Sequence, residues 1–357
     1  MPVWEPILKT SPCIKKIDKP ILTKGDIPYE AELVFNAGVA KIDGKYVMVF
    51  RNDYGTTREA FENEGKNFSG TSIGIAVSDN GIDGWRVKEK PIIDYRRIGD
   101  KGCSSLGRKE LEFPDIVRLY DPRITVIEGE IYLCLAMDTH HGIRGCIAKL
   151  DKNLEDYEII SASVPDNRNM ALFPEKIGGY YVRLERPFPV YGRMETTGPK
   201  DRFDMWLSKS PDLKFWGESK LVLGVEHVPF ANDKIGPAAP PVKTKYGWLT
   251  LFHAVDIAEG RGQCEWQKNW HKRYTGGIML LDLEDPSKVI GMCKEPLIAP
   301  ELPYEAEQGF RQNVIFPGGM ILEDSGEVKI YYGAADTAES VATANLEDLI
   351  ALCKEER

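Results

Sequence analysis

The sequence predicts an all-β protein and, within that class, a five-bladed β-propeller. A short Gly-containing turn followed by an alternating apolar strand occurs five times along the 357 residues. No amphipathic segment of helical length separates the copies. A β-sandwich, the other all-β fold considered, would not explain why the same pattern of two hairpins returns five times. We therefore expect residues 1–357 to form a single propeller domain in which each copy is one blade.

Each copy begins with a turn and a strand of period two, which is typical of a β-hairpin. The five segments are IDGKYVMVFR (42–51), IEGEIYLCLA (127–136), IGGYYVRLER (177–186), YGWLTLFHA (246–254) and SGEVKIYYGA (325–334). A second apolar stretch follows each one, starting at Ser72, Arg144, Asp204, Gly276 and Val341. These stretches predict the outer hairpin of each blade.

Long inserts interrupt the repeats at 52–70, 88–119, 187–203 and 255–273. Loops of this length usually carry function or contacts with other chains. They make self-association of the chain plausible, so a homo-oligomer is one expectation for this protein.

Composition argues against several classes of function. Lys and Arg number 46 against 55 Asp and Glu, a formal net charge of -9, which disfavours nucleic acid and anionic membranes as partners. The seven cysteines form no CxxC pair and the five histidines no HExxH motif, so we expect free thiols and no metal site. There is no signal-peptide pattern and no apolar run of about 18 to 20 residues. A cytoplasmic protein is expected.

The inner strands of a propeller surround its axis, and their ends form a cup suited to a small ligand. Alignment of the repeats on the turn glycine places Arg51, Arg186 and His253 near the same rim. A few polar residues also begin the segments that enter each inner hairpin, namely Asn36, Asp121, Arg168, Lys234 and Asn313. The pattern indicates a ring of cations and amides, although ordinary surface charges at strand ends are the alternative.

Asp121 is the carboxylate of that ring. A carboxylate among cations and amides can act as a general acid when its surroundings set its pKa. The sequence YDPR leaves a second interpretation open, in which Asp121 is a turn aspartate paired with Arg123.

Several segments closely resemble the mannoside phosphorylases of glycoside hydrolase family 130. They are FNAGVAKIDGKYVMVFR, YDPRITVIEGEIYLCLA, ALFPEKIGGYYVRLERP, KIGPAAPPVKTKYGWLTLFHAVD, LDLEDPSKVI and VIFPGGMILEDSGEVKIYYGAADT. The resemblance runs in order from about residue 30 to the C-terminus. It implies a five-bladed propeller, in agreement with the number of repeats.

The resemblance also implies roles for individual residues. Asp121 would be the general acid, and Asn36, Arg51 and Asp336 would bind the mannosyl unit. The phosphate-binding set would be Arg168, Arg186, Lys234, His253 and Tyr274. Tyr274 is the least firmly aligned, because the insert RGQCEWQKNWHK before it departs from the family pattern. Inorganic phosphate would be the co-substrate, with no metal or other cofactor.

Physical chemistry supports inverting phosphorolysis of a β-mannoside, which yields α-mannose 1-phosphate. An inverting hydrolase needs a second carboxylate to activate water, whereas phosphate is itself an anionic nucleophile that cations can hold. Two alternatives stay open, a β-mannoside hydrolase using Glu175 or Glu185 and a carbohydrate-binding propeller without catalysis. Glu185 alternates with Arg186 along a strand and is expected to pair with Arg183 or to pack away from phosphate. For Glu175 the alternative to a hydrolytic role is a buried structural acid paired with Lys176.

Aromatic residues fall into two groups. Those inside the repeated strands are expected to pack within blades: Tyr181, Trp206, Trp216 and Tyr331. Those in loops are candidates for stacking on an acceptor sugar: Trp266, Trp270, Tyr304 and Phe310. The mannosyl linkage and the acceptor depend on loop geometry and stay open.

Overall fold

The computed structural model describes residues 8–97, 103–105, 116–188, 203–258, 261 and 270–354. These residues form five antiparallel sheets, one for each copy of the repeat. The inner strands of neighbouring sheets contact one another around a ring. The protein is a five-bladed β-propeller, as the repeats predict.

The strands in chain order are β1 (Lys15–Lys16), β2 (Leu33–Ile42), β3 (Lys45–Tyr54), β4 (Gly70–Ser78), β5 (Arg86–Val87), β6 (Ile93–Arg97), β7 (Cys103–Ser105), β8 (Ile116–Ile127), β9 (Glu130–Thr139), β10 (Gly142–Leu150), β11 (Tyr157–Ala162), β12 (Asn167–Leu172), β13 (Tyr181–Pro187), β14 (Met205–Ser210), β15 (Gly217–Leu223), β16 (Lys234–Pro237), β17 (Val242–Thr244), β18 (Gly247–Ile257), β19 (Lys272–Leu281), β20 (Val289–Met292), β21 (Ile315–Leu322), β22 (Glu327–Ala334) and β23 (Ala338–Asn345). The helices are α1 (Arg58–Glu64), α2 (Pro303–Ala306) and α3 (Leu346–Lys354), with 3-10 turns at Lys24–Asp26 and Val225–His227.

Blade 1 contains β2 to β7, blade 2 β8 to β11, blade 3 β12 to β15 and blade 4 β16 to β20. Blade 5 contains β21 to β23 and takes its outermost strand, β1, from the other end of the chain. Lys15 pairs with Thr343 and Lys16 with Ala342. The ring is therefore closed by pairing between the two ends of the described chain.

The first hairpin of three blades turns through two residues in the left-handed region. The pairs are Asp43 and Gly44, Glu128 and Gly129, and Gly178 and Gly179, with φ between 48° and 85°. This is the conformation of a type I′ turn, whose twist matches that of the flanking strands. The turns set the register of these hairpins, for example Ile42 opposite Lys45.

The last copy of the repeat differs from the expected outer hairpin. The segment that follows β23 forms helix α3 instead of a strand. Leu349, Ile350 and Cys353 are buried on one face of this helix, and acidic Glu347 and Asp348 lie in its first turn. This amphipathic spacing favours a helix, and β1 occupies the outer edge that a further strand would have taken.

The apolar core lies between the blades. One large cluster joins residues of blades 3, 4 and 5, and a second joins blades 1 and 2. In the first cluster Trp248 is fully buried, and its ring meets that of Phe173 edge to face at 5.1 Å. The apolar side chains of the sheet faces are thus buried between neighbouring blades. The region around the propeller axis is where polar side chains can lie.

The first insert contains helix α1, which is capped by Thr57 and ends at Gly65. Phe61 and Phe68 pack on Phe310, with ring centroids 5.2 and 5.6 Å from it. Much of the other three inserts lies outside the described residues. Within the described ranges, no helix is long and apolar enough to cross a membrane.

Candidate active site

The inner strands of four blades are interrupted at the same point by a bulge. The register shifts fall at Phe35/Gly38, Tyr120/Arg123, Arg168/Ala171 and Pro317/Gly319. In blade 4 the inner strand is split into β16 and β17. Bulges change the direction of a side chain and occur often beside active sites.

Three of these bulges hold a polar residue in the left-handed region, Asn36 (φ 55°), Asp121 (φ 53°) and Asn169 (φ 58°). Asn and Asp tolerate this conformation better than most residues. Beneath the first bulge the buried carboxyl of Glu339 accepts the N–H of Ala37 at 2.7 Å. Burial raises the pKa of Glu339 to about 8, although this bond and Arg123 oppose the rise.

The rim residues aligned by the repeats are structurally equivalent. Arg51 and Arg186 pair with the residue directly before the bulge of the inner strand, and His253 pairs with the last residue but one of β16. Arg51 lies opposite Phe35, Arg186 opposite Arg168, and His253 opposite Gly236. In blade 5 the equivalent residue is Gly333, where a Cβ atom would lie 2.7 Å from Oδ1 of Asn36. The missing side chain of Gly333 therefore makes room for that asparagine.

Asp121 accepts two hydrogen bonds on Oδ1. Nδ2 of Asn36 donates at 3.0 Å and a terminal nitrogen of Arg51 at 3.1 Å. The guanidinium of Arg123 donates instead to carbonyl oxygens, those of Ala238 (2.7 Å), Pro122 (2.8 Å) and Asn36 (3.2 Å). The local pair of Asp121 with Arg123 that the YDPR segment allows is thus not among the hydrogen bonds of the described residues.

The pKa of Asp121 lies below its ordinary value. Burial raises this pKa, but the charges of Arg51 and Arg123 and the bond from Asn36 lower it by more. Asp121 is consequently ionised near neutral pH without ligand. To donate a proton, it needs a bound group that raises its pKa, such as an anion near the arginines.

Arg51 is held from several sides. It donates to both oxygens of Asp53, at 3.1 and 2.5 Å, and its guanidinium lies over the rings of Phe35 and Tyr120 at 4.5 and 4.9 Å. Asp336 lies at a turn in the left-handed region (φ 49°). Burial raises its pKa to about 6, opposed by Arg311 and Arg51, and the negative charge of Asp121 adds to the rise. The charges of Arg51 and Asp121 therefore both act on the carboxyl group of Asp336.

Arg186 is a buried cation that lacks an acidic partner among the described residues. It is 2% exposed, one terminal nitrogen lies 3.0 Å from Nε2 of His253, and its Nε has no partner. Burial and the nearby charge of Arg168 lower the pKa of Arg186 to about 9. An unpaired buried charge is expensive, so this site is suited to binding an anion.

His253 orients Arg186 as a neutral group. Its Nδ1 lies 3.2 Å from the carbonyl oxygen of Pro237, which can only accept, so Nδ1 carries the hydrogen and Nε2 accepts from Arg186. Burial and the charge of Arg186 hold the pKa of His253 well below its usual value. A Cβ atom at Gly236 would lie 2.6 Å from the imidazole and 2.9 Å from Cδ of Arg186, so glycine permits this contact.

Lys234 and Arg168 complete the cation cluster, which we define as Arg168, Arg186 and Lys234. Burial and the charges of Arg186 and Lys272 lower the pKa of Lys234 to about 7. Asp233 is 3.8 Å from Lys234 and 3.0 Å from Lys272, and thus interacts with both. Nε of Arg168 is buried without a partner, as is that of Arg186.

Comparison with known proteins identifies the family. A family model described as beta-1,4-mannooligosaccharide phosphorylase matches residues 15–355. The chain belongs to glycoside hydrolase family 130. It is 34% identical to a 1,2-beta-oligomannan phosphorylase of Thermoanaerobacter sp., over 93% of this chain and 97% of that protein. It is 35% identical to a beta-1,4-mannooligosaccharide phosphorylase of Ruminococcus albus, over 65% of this chain and 64% of that protein.

Solved structures agree with the family 130 fold. A beta-1,2-mannobiose phosphorylase from Listeria innocua, in complex with beta-1,2-mannobiose, matches with a TM-score of 0.73. That match has 24% identity and covers 96% of this chain and 99% of the other. A second matching structure is described with the glycoside hydrolases of family 130 that target beta-1,2 mannosidic linkages in Candida mannan. That match has a TM-score of 0.66 and 20% identity, and it covers 97% of this chain and 96% of the other.

Two aromatic residues missed by the sequence interpretation lie beside the cation cluster of this family 130 protein. Phe188 and Phe203 meet edge to face at 5.4 Å. Arg186 lies 5.6 and 5.4 Å from their rings, and Arg168 lies 5.5 Å from the ring of Phe188. Both residues lie at the ends of the 187–203 insert, which was the signal available in the sequence. Both rings lie within cation–π distance of a guanidinium group of the cluster.

Tyr274 lies next to Lys234, whose ammonium is 5.4 Å from the phenol ring. Burial raises the pKa of Tyr274 to about 12, so its hydroxyl is protonated and able to donate. Trp270 stacks parallel to Tyr274 at 6.0 Å. Of the other loop aromatics, Phe310 is buried and the Tyr304 hydroxyl bonds to Ile17 and Ser340, while Trp266 lies outside the described residues.

The glutamates considered for a hydrolase do not join the cation cluster. Glu185 binds Arg183 at 2.8 Å, as expected, and also Nδ2 of Asn167. The expected pair of Glu175 with Lys176 is wrong. Glu175 binds Lys243 at 2.5 Å, because Lys176 reaches across to Glu128 in the turn of blade 2.

Proposed function

We propose that this protein is an inverting β-mannoside phosphorylase. It would transfer the non-reducing-end mannosyl unit of a β-mannoside to inorganic phosphate, giving α-mannose 1-phosphate and a shortened sugar. The observation that carries the proposal is Arg186, a buried cation with no acidic partner among the described residues, beside Arg168 and Lys234.

Phosphate would bind in the cation cluster. The unpartnered Nε groups of Arg168 and Arg186 are free to donate, and arginine matches phosphate oxygens in geometry and charge. The hydroxyl of Tyr274 would add a neutral donor, and His253 would keep Arg186 in place. A dianion here neutralises charges whose burial is otherwise costly.

The mannosyl unit would bind between this cluster and Asp121, in contact with Asn36, Arg51 and Asp336. A phosphate oxygen attacks the anomeric carbon from the α face while the bond to the leaving oxygen breaks. Asp121 supplies the proton, and the family resemblance points to transfer through a hydroxyl of the bound mannose. Single displacement inverts the anomeric configuration, which accounts for an α product from a β substrate.

Phosphate binding would also prepare the acid. Arg168 is one of the cations that lower the pKa of Asp121. A bound phosphate would offset its positive charge and so raise that pKa. Asp121 would then hold its proton mainly when the nucleophile is present, which limits futile protonation of the sugar.

The test is incubation with β-1,4-mannobiose and β-1,2-mannobiose, with and without inorganic phosphate, while mannose 1-phosphate and free mannose are both measured. Mannose 1-phosphate formed only with phosphate supports the proposal. Free mannose formed at the same rate without phosphate would instead establish the hydrolase. Asp121→Asn should lower the rate about 10²- to 10⁴-fold and keep the native circular dichroism spectrum. An active Asp121→Asn enzyme would contradict the assignment of the acid.

A further inference from the structure

A groove of about 370 Å³ lies on the face of blade 3 that points away from the cation cluster. We call it the blade 3 groove, and the residues that line it include Asn167, Arg183, Glu185, Trp206 and Trp216. Asn167 and Glu185 each precede an arginine of the cation cluster on the same strand. Since neighbouring side chains of a strand point to opposite faces, strands β12 and β13 separate the two sites.

Two acceptor oxygens in this groove have no donor among the described residues. Asn167 is 7% exposed, and its Nδ2 donates to Oε2 of Glu185 at 2.9 Å while its Oδ1 has no partner. Oε2 of Glu185 also receives both bonds from Arg183, at 2.8 and 3.1 Å, and Oε1 receives none in the described chain. Buried acceptors are nearly always satisfied in folded proteins, so the buried Oδ1 of Asn167 points to a ligand that brings a donor, and Oε1 of Glu185 lies beside it as a further acceptor.

Two indole rings border the same acceptors. The guanidinium of Arg183 lies 4.0 Å from the ring centroid of Trp216, whose Nε1 donates to the carbonyl of Leu213 at 3.0 Å. Trp206 lies directly opposite Glu185 in the sheet. Both tryptophans are half-buried, so part of each ring remains accessible from the groove.

These features match the chemistry of a sugar. A pyranose ring offers apolar C–H faces to aromatic rings and hydroxyl donors around its edge. A phosphorylated sugar fits less well, since the Glu185 carboxylate would repel it. We propose that the blade 3 groove is a second binding site, for an uncharged oligosaccharide. The site itself does not depend on the proposed catalytic function, but the expectation that its ligand is a β-mannan chain does.

The seven tryptophans allow the two sites to be followed separately. In a ¹H–¹⁵N spectrum, the indole signals of Trp206 and Trp216 report on the groove and that of Trp270 on the catalytic site. The probes are β-1,4-mannotetraose, β-1,2-mannotetraose and cellotetraose, each titrated without phosphate. We expect a mannotetraose to shift the Trp206 and Trp216 signals with an affinity different from that reported by Trp270.

Trp206→Ala should weaken binding reported by Trp216 at least about tenfold and leave the turnover of mannobiose within about twofold. Phe215→Ala is the matched control, because Phe215 is 74% exposed on the same blade and does not line the groove. If Trp206→Ala does not fold, Asn167→Leu removes the unpartnered acceptor and should weaken binding similarly.

Absence of any shift of Trp206 and Trp216 at saturating concentrations of all three tetrasaccharides would overturn the groove proposal. Shifts that survive both substitutions unchanged would also overturn it. Groove binding in a protein that makes no mannose 1-phosphate would uphold the second site and contradict the proposed phosphorylase. Binding of cellotetraose alone would uphold the site but contradict a mannan chain as its ligand.

Discussion

At the scale of single residues, the site combines one ionised acid with a buried arginine, Arg186, that has no acidic partner among the described residues. Asp121 is bonded to Asn36 and Arg51, and Arg186 contacts the neutral His253. The two groups therefore have opposite requirements. Asp121 needs its pKa raised before it can donate, whereas Arg186 needs a negative charge. One bound phosphate would raise the pKa of Asp121 and also supply the negative charge beside Arg186.

Arg186→Met should increase stability while abolishing phosphorolysis. The substitution removes a buried charge without an ion pair, so the free energy of unfolding without phosphate should rise by about 1 kcal/mol or more. Urea unfolding with and without phosphate measures this, and the stabilisation of the wild type by phosphate should be lost. Arg183→Met is the control: it breaks a buried pair with Glu185 and should cost about 3–5 kcal/mol. Equal destabilisation by both substitutions would contradict this account.

The lowered pKa of Lys234 predicts that both stability and anion affinity depend on pH. Its folded-state pKa is about 7, below its unfolded value, so the cost of burying its charge is fully present below pH 7. Without an anion, stability should rise from pH 7 towards 10 as the folded protein loses this proton first. Anion affinity should fall over the same range, and sulfate is a suitable probe because its charge is constant there. Lys234→Met should remove the part of both trends that lies below about pH 9, above which Arg186 also loses its proton, whereas Lys243→Met, at an exposed site, should retain them.

At the scale of elements, the bulges of the inner strands determine where the polar side chains point. Asn36 and Asp121 adopt left-handed conformations at equivalent positions of blades 1 and 2. Neighbouring strands leave space for these side chains. Gly333 of β22, for example, has no side chain where it contacts Asn36. The bulges thus direct side chains from equivalent positions of different blades towards one site.

Gly333→Ala should displace Asn36, because the new methyl group would lie 2.7 Å from its Oδ1 and 2.8 Å from its backbone nitrogen. We expect a loss of stability of about 1–3 kcal/mol and a lower kcat from the misplaced hydrogen bond to Asp121. Steady-state kinetics and urea unfolding provide the measurements. Gly217→Ala is the control in β15, where nothing lies within 4 Å of the added Cβ. Wild-type kcat in Gly333→Ala would refute the positioning role of Asn36.

At the scale of the whole molecule, the propeller is closed by β1 on blade 5. The ammonium of Lys16 donates to Glu305 at 2.7 Å and to the carbonyl of Ala299 at 2.6 Å. Glu305 is fully buried and also accepts from the hydroxyl of Tyr332. This buried pair joins the first described strand to helix α2, which precedes β21. We propose that the closed ring acts as one catalytic domain.

Lys16→Met should destabilise the whole ring, because it leaves Glu305 buried without its cation. The expected loss is about 3–5 kcal/mol, measured by urea unfolding at pH 7. Lys15→Met, on the same strand but exposed, should change stability by less than about 0.5 kcal/mol. Similar effects of the two substitutions would show that the ion pair does not hold the closure.

The sequence alone determined the number of blades, the family and the set of residues proposed for the site. Repeats report local periodicity, and the motifs keep their order along the chain, so neither requires knowledge of distant contacts. Alignment on the turn glycine also located Arg51, Arg186 and His253 at equivalent positions.

Only the tertiary structure decided how those residues interact. Arg186 and His253 are 67 residues apart, and their contact depends on two blades packing with Gly236 between them. The partner of Glu175, the closure by β1 and the surroundings of the unpartnered Asn167 Oδ1 in the blade 3 groove likewise depend on segments far apart in the chain. Local pattern specifies which side chains a strand carries, but the charge and hydrogen bonds of a buried group depend on everything packed around it.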